Sequence, residues 1–352
     1  MFIVDAHLDL AYAALNYGRN LTQPLSAIRA AEPEKPGARG TATVSLPDIR
    51  QAGVRLVFGT LFVSPGNTPF SEPGDTMTYT TADEAHTLAM RQLDYYHQLA
   101  DTDPAIQLVG TQADLDWVIA SHATETPRLG IVPLMEGADP IRHPEEVVMW
   151  YERGLRLVGL AWDDTRYAAG AWRGGGGLTK DGCHLLEAMA DLGMILDLTH
   201  MSEQATLEAI DRYEGPIVAT HANARRLVPG ERQLSDTQIR RLGERDGVIG
   251  VVFYNRFLRA NHQRGEPKER VTLAHVAAHI DHICQVLGDA AHVGIGSDFD
   301  GGFGAEDIPA ELDSAVDLPA LVPILREMGY SEADIRGIMG ENWVRLLRRA
   351  LP

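Results

Sequence analysis

A chain of 352 residues, 45% hydrophobic and 23% charged, has the composition of a globular protein with a sizeable core. Its 31 Lys and Arg against 49 Asp and Glu leave a net charge of −18, a field that repels phosphate backbones and argues against nucleic acid as a partner. No run approaches the roughly 20 apolar residues of a membrane span, no basic segment leads into a long apolar stretch as in a signal peptide, and Cys183 and Cys284 make no disulfide framework. The expectation is a cytoplasmic protein with no membrane partner, for which a homodimer is the default assembly.

In chain order, apolar or β-branched runs at Phe2–His7, Val54–Val63, Gly130–Met135, Arg156–Ala161, Met194–Thr199, Ile217–Thr220, Val248–Phe253 and Val293–Ser297 predict eight strands. Amphipathic segments between them, such as Ala82–Ala100, Pro144–Arg153, Leu185–Leu192, Ser202–Tyr213, Ser235–Arg245 and Leu273–Leu287, predict helices. Eight alternating units predict an α/β protein, a (β/α)8 TIM barrel with decorations, as one domain over residues 1–352. The run Ile106–Gly110 falls outside the eightfold count and reads as a decoration before the third barrel strand. Loops are expected at Pro33–Gly40 and Ser64–Asp75, after the first and second strands. Another is expected at Gly174–Gly177, after the fourth. That glycine run lacks a Lys-Ser/Thr ending and no strand leads straight into it, so it does not read as a phosphate cradle.

Histidines and carboxylates recur just beyond the apolar runs, at the strand ends where barrel enzymes place their chemistry. His7 and Asp9 follow the first run, Glu136 the third, His200 the fifth, His221 the sixth and Asp298 the eighth. One such residue is ordinarily a hydrogen-bonded strand end. Six converging on one mouth would crowd buried polar groups and like charges, which costs heavily without a cation. Three imidazoles and two carboxylates suit zinc, although cobalt and manganese share this ligand set. His7 and Asp9, two residues apart on an extended strand, can chelate one ion. Glu136 can bridge two ions, His200 and His221 complete the second, and Asp298 remains to exchange protons with an attacking water and a leaving amine.

The chain resembles the membrane (renal) dipeptidase family, peptidase family M19 of the amidohydrolase superfamily. The pieces that carry the likeness run nearly end to end: Asp5-Ala6-His7-Leu8-Asp9-Leu10, Leu134-Met135-Glu136-Gly137, Asp197-Leu198-Thr199-His200-Met201-Ser202 and Thr220-His221-Ala222-Asn223, then Gly247-Val248-Ile249-Gly250-Val251, His279-Ile280-Asp281-His282, Gly296-Ser297-Asp298-Phe299-Asp300-Gly301 and Gly340-Glu341-Asn342-Trp343. The resemblance implies a metal-dependent hydrolase barrel with two Zn2+ per chain, held by His7, Asp9, Glu136, His200 and His221. It also implies Asp298 as general acid/base and a metal-bridging hydroxide that cleaves dipeptides, with tolerance for a D-residue at the C-terminal position. Arg232-Gln233-Leu234-Ser235-Asp236 resembles the segment whose Arg holds the substrate carboxylate; a bidentate clamp would explain anion binding by an acidic protein. The blander reading is a surface Arg on a loop. Tyr254, after the seventh strand, is either a substrate-pocket residue or a packed barrel-end aromatic.

One departure bears on the substrate. Where the family carries a His after the fourth strand, this chain reads Leu160-Ala161-Trp162-Asp163-Asp164. The indole of Trp162 can donate one hydrogen bond but can neither accept one nor carry charge. It weakens support for an oxyanion and enlarges the apolar wall. Alternatives are therefore hydrolysis of N-acyl amino acids, lactams or lactones, a phosphotriesterase that leaves Arg232 without purpose, and a catalytically idle metal-binding module that leaves Asp298 without one. His275, His279 and His282 share a predicted helix face and read as packing or capping. Asp300 competes with Asp298 as base, since alternation turns both to one side. The pair Arg225-Arg226 is too small for a nucleic-acid patch.

Overall fold

The computed structural model describes residues 1–33, 37–66, 68 and 74–352, so parts of the loops expected at 33–40 and 64–75 lie outside the described residues. All eight predicted strands form: β1 (Ile3–Leu8), β2 (Val54–Phe62), β3 (Leu129–Glu136), β4 (Leu157–Gly159), β5 (Ile195–Asp197), β6 (Ile217–Ala219), β7 (Val248–Val251) and β8 (Val293–Ile295). Each pairs in parallel with its sequence neighbours, and β1 pairs with β8 through Asp5 and Ile295, which closes the barrel. Several strands are shorter than their apolar runs because the residues that follow, such as Leu160, Ala161 and Leu198, stay buried after the ladder ends. The extra run forms a short strand, Ile106–Leu108, parallel to Leu129–Ile131 on the outside of β3. The predicted helices form as Ala82–Thr102, Lys180–Asp191, Glu203–Arg212, Asp236–Glu244 and Leu273–Leu287. The Pro144–Arg153 segment splits into a 3-10 turn, Pro144–Glu146, and a helix, Val147–Glu152.

Alternation along the strands sorts the core into two layers. Val4, Ala6, Leu56, Phe58, Val132, Leu134, Leu157, Ile195, Val218 and Val248 form one buried cluster with Trp343, Leu346 and Leu347. These are the barrel interior, closed from below by the C-terminal helix Asn342–Ala350. The Trp343 ring lies 5.2 Å from that of Phe58, and its indole N–H donates to the Ile295 carbonyl at 3.1 Å. Residues of the opposite phase, such as Val57, Ile131, Leu196 and Ile249, pack outward in the larger core that the helices cover. The inner phase, continued two residues past Leu134, delivers Glu136 to the mouth. β1 departs from the simple pattern. Its register shifts between Asp5 and Leu8, so that Leu8 joins the outer core and His7 reaches the mouth. Among the described residues no helix is long and apolar enough to cross a membrane, and both cysteines are unpaired.

Candidate active site

The six strand-end residues meet at the barrel mouth. His7 Nε2 lies 3.3 Å from Glu136 Oε2 and 3.8 Å from Asp298 Oδ1. The other Glu136 oxygen, Oε1, is 3.0 Å from His200 Nε2 and 3.5 Å from His221 Nε2, and those two nitrogens are 2.9 Å apart. Three overlapping groups have ligand atoms within 4.8 Å of one another: His7, Asp9 and Glu136; Glu136, His200 and His221; and His7, His221 and Asp298. The first two are the pair of sites expected from sequence, with Glu136 common to both. The third brings Asp298 into the same cluster. All six residues are buried.

A divalent cation fits this arrangement on chemical grounds. Three carboxylates lie buried together, and among the described residues that line the cavity Arg232 is the buried guanidinium beside them. Protons take up the imbalance in the side chains alone. Burial first, then the Glu136 charge, push Asp9 up to about 7. Burial, with Asp9 and Glu136, pushes Asp298 well above the carboxylate range, although His7 and Arg232 pull the other way. Burial lowers His7, but Glu136, Asp298 and Asp9 outweigh it and raise the ring to about 10. Burial likewise opposes ionisation of Glu136, and the His7 charge and hydrogen bonds from His200 and His7 hold it below its ordinary value. Burial and Arg232 bring His200 down to about 4, the unprotonated form a metal requires.

The rings are held from behind. Thr220 Oγ1 donates to Asp197 Oδ2 at 2.6 Å, so its only hydroxyl proton is committed. Toward His7 Nδ1 at 3.3 Å and His221 Nδ1 at 3.1 Å the same oxygen can only accept. Both rings therefore carry a proton on Nδ1 and present Nε2 to the cluster. Asp197 also accepts from the backbone N–H groups of Thr199 and Thr220, each at 3.0 Å. Gly250 and Gly296 press against the Thr220 carbonyl so closely that a Cβ on either would overlap it. Thr60 donates its hydroxyl to Asp9 Oδ1. His200 and Asp298 occupy the left-handed region at φ 69° and 61°, an uncommon conformation for side-chain-bearing residues that concentrates at functional sites.

Arg232 is buried, not a surface residue on a loop. Its Nη2 donates to the His221 carbonyl at 3.0 Å, while Nε and Nη1 have no hydrogen-bond partner among the described residues. Burial draws this guanidinium down to about 10, still charged at neutral pH. Arg232, Trp162 and Tyr254 all line a cavity of about 400 Å³ that also contains Asp9, Glu136, His200 and Asp298. The Trp162 ring lies 6.1 Å from His200 and 5.0 Å from Phe62. Its neighbour Asp163 is held in a two-point pair with Arg173, at 2.8 and 2.7 Å, which anchors the loop. Tyr254 stacks on Phe303 at 4.5 Å, so it both lines the cavity and packs.

Several site residues escaped the sequence reading. Thr60 within β2, Asp197 at the end of β5 and Thr220 just past β6 are polar positions in apolar runs, a signal that was there to be read. Phe62, Tyr12 and Trp172, which line the cavity, look like ordinary core aromatics until the barrel closes. Asp300 turns away from the cluster. It sits at φ 66°, beyond the strand, where alternation no longer applies, and accepts from Thr43 N and Oγ1 at 2.8 and 2.7 Å beside Arg19. The helix histidines are structural. His275 Nδ1 accepts from the Thr272 N–H at 3.1 Å, His282 pairs with Asp236 at 2.8 Å, and buried His279 links Ala224 N to the Leu258 carbonyl.

Comparison with known proteins gives one answer. The family described as membrane dipeptidase, peptidase family M19, matches residues 1–351. An uncharacterized protein encoded in the pqqA 5′ region of Klebsiella pneumoniae is 34% identical over 259 residues, 71% of this chain and 91% of its own length. The crystal structure of dipeptidase AC, a metallo peptidase of family M19, superposes with a TM-score of 0.81 at 28% identity, covering 100% of this chain and 99% of that one. A metallo peptidase from Rhodobacter sphaeroides, bound to a phosphinate mimic of the dipeptide L-Ala-D-Ala, also superposes with a TM-score of 0.81, at 26% identity over 99% of both chains.

Proposed function

The chain belongs to the membrane dipeptidase family, peptidase family M19, and from that premise we propose that it is a binuclear zinc dipeptidase that accepts a D-residue at the C-terminal position. The observation that carries this reading is Arg232, a buried guanidinium beside the His, Glu and Asp cluster with Nε and Nη1 both unpartnered. These N–H groups lie on different edges of the guanidinium, and each can donate a charge-assisted hydrogen bond to a carboxylate oxygen.

His7, Asp9 and Glu136 would hold one ion, and Glu136, His200 and His221 the other. Ions in such a pair supply an activated water and polarise the substrate carbonyl. The protein's own part is positioning and proton movement. Arg232 fixes the α-carboxylate, which sets the scissile bond over the cluster. Asp298, with Oδ1 on the cluster side, takes a proton from the attacking water and returns it to the leaving amine. Thr220 and Asp197 keep the His7 and His221 rings aimed through the cycle. A leaving residue held by its carboxylate is little constrained at its side chain, which supports tolerance of D-residues, as does the L-Ala-D-Ala mimic bound by the Rhodobacter sphaeroides relative. Residues 1–352 act as one unit in this reading, because β1 and β8 share a seam and both feed the site. The two free cysteines suit a reducing cytoplasm.

Hydrolysis of N-acyl amino acids, lactams or lactones is a second reading, favoured by Trp162 at the position of the family's His. The deciding experiment measures amino acids released by zinc-loaded protein from L-L and L-D dipeptides, alongside the same dipeptides amidated at the C-terminus. Cleavage of the free dipeptides that is lost on amidation and in Arg232→Ala supports the dipeptidase. A protein that holds two metals and cleaves no dipeptide overturns it in favour of the second reading.

A further inference from the structure

We propose that Tyr12, Phe62 and Trp162 form an aromatic compartment for the side chain of the substrate's N-terminal residue, so that the preferred dipeptides begin with an aromatic or large aliphatic residue. The inference rests on the dipeptidase reading above, because that reading sets which end of the substrate lies where.

Phe62 ends β2 directly beside Glu136, its partner in the parallel register with β3. Aligned residues of neighbouring parallel strands project to the same side, so the Phe62 ring stands next to the carboxylate at the centre of the cluster. It lies 5.0 Å from the Trp162 ring and 5.3 Å from the Tyr12 ring. With buried Met77 behind them, the three form a small apolar cluster separate from the main core, and all three line the cavity. The Tyr12 hydroxyl is engaged by Asp75 at 2.9 Å, which leaves the ring as what this residue offers a ligand.

Direction follows from the barrel. Arg232 lies in the segment after β6, and β6 is four strands from β2 in a closed eight-stranded ring, on the far side of the mouth. A dipeptide whose carboxylate is clamped at Arg232 and whose carbonyl sits over the cluster must extend its first residue toward the β2 side. The walls it meets there are aromatic, and the charged group bonded to them is the Asp75 carboxylate on the Tyr12 hydroxyl. Apolar surface of this kind gains in proportion to the apolar area it covers, whereas an acidic side chain would be repelled.

The test compares kcat/KM for Phe-D-Ala, Leu-D-Ala, Gly-D-Ala and Glu-D-Ala. The expected result is Phe and Leu at least about 10-fold above Gly, the scale on which apolar pockets discriminate, with Glu the slowest. Phe62→Ala should shrink the Phe-to-Gly ratio severalfold; should that variant fold poorly, Trp162→Ala, whose ring is only half-buried, reads the same ratio. Gly or Glu substrates cleaved as well as Phe, or a ratio untouched in both variants, overturns the compartment. If no dipeptide is cleaved, the dipeptidase reading fails instead. The compartment is then tested by calorimetric binding of phenylacetyl-D-alanine against acetyl-D-alanine, where equal affinities overturn it.

Discussion

Arg232 Nη2 lies 3.2 Å from His200 Nε2, so the guanidinium reaches toward the same lone pair that His200 would give a metal ion. The two uses exclude each other, and a fixed positive charge this close also opposes a divalent cation. Replacing Arg232 with Met removes both effects. The variant should bind its second zinc more tightly, by about 10-fold for roughly 1.4 kcal/mol of relieved repulsion, while its KM for dipeptides rises. Calorimetric titration of metal into the metal-depleted proteins checks this, and weaker binding by the variant would show that Arg232 supports the metal site.

Asp298→Asn is the most informative single change at the cluster. Asn tolerates the left-handed backbone that residue 298 adopts at φ 61°, so the fold should survive. If Asp298 carries the proton, turnover falls by about 10²-fold or more with both zinc ions retained. Asp298 also belongs to a possible ligand group with His7 and His221. Loss of one zinc per chain from the variant would therefore reassign it as a ligand.

In the binuclear reading, Thr220 would raise metal affinity through the His7 and His221 rings it holds. Thr220→Val keeps the shape and removes the hydroxyl, leaving Asp197 Oδ2 without its donor and both Nδ1–H groups without their acceptor. Zinc affinity, measured by chelator competition, should drop by about 10- to 100-fold, as for other partners that orient ligand histidines. Thr220→Ser should retain most of it. Equal affinities for all three proteins would leave the hydroxyl with no part in aiming the rings.

His279 gives stability a pH dependence that has nothing to do with catalysis. Burial brings its pKa down to about 4, against a smaller upward push from the Leu258 carbonyl, while the unfolded chain keeps a value near 6.5. Between those values the unfolded chain binds a proton that the folded one refuses. The stabilisation is complete above pH 6.5 and disappears as pH falls toward 4, amounting to about 3 kcal/mol for this group. In His279→Gln, denaturant midpoints measured across this window should fall less steeply with acid than in the parent. Parallel slopes would remove His279 from the account.

Much of this architecture was legible in the residues. A strand buried on both faces reads as an apolar run, so the eight strands and the extra one at 106–108 stood out, and a polar residue just past each run marked the mouth. What could not be read was anything set by a departure from regular backbone. The register shift that turns Leu8 into the outer core has no signature in the β1 run, although the sequence places both His7 and Asp9 at the mouth. The left-handed turns after β8 send Asp300 to Arg19 and Thr43 instead of to the cluster. The surroundings of Arg232 could not be read either: both a surface residue and a carboxylate-binding one fitted the segment, and its burial beside the cluster is set by the fold. The aromatic wall depends on β1, β2 and β4 loops meeting, which closure decides and spacing alone does not.

The seam between β1 and β8 has a consequence for when the protein becomes active. Asp5 on β1 accepts from Ser297 N at 2.8 Å and Ser297 Oγ at 2.5 Å, immediately before Asp298, so the clasp joining the first strand to the last also carries the site. His7 and Asp9 emerge from the ribosome among the first residues of this sequence, and Asp298 nearly three hundred later. A nascent chain can pair β1 with β2 and β2 with β3 as they appear, yet holds only part of the constellation until translation has passed β8. Hydrolysis is thereby tied to synthesis of both seam strands, and fragments cut short before residue 298 should be unable to cleave dipeptides.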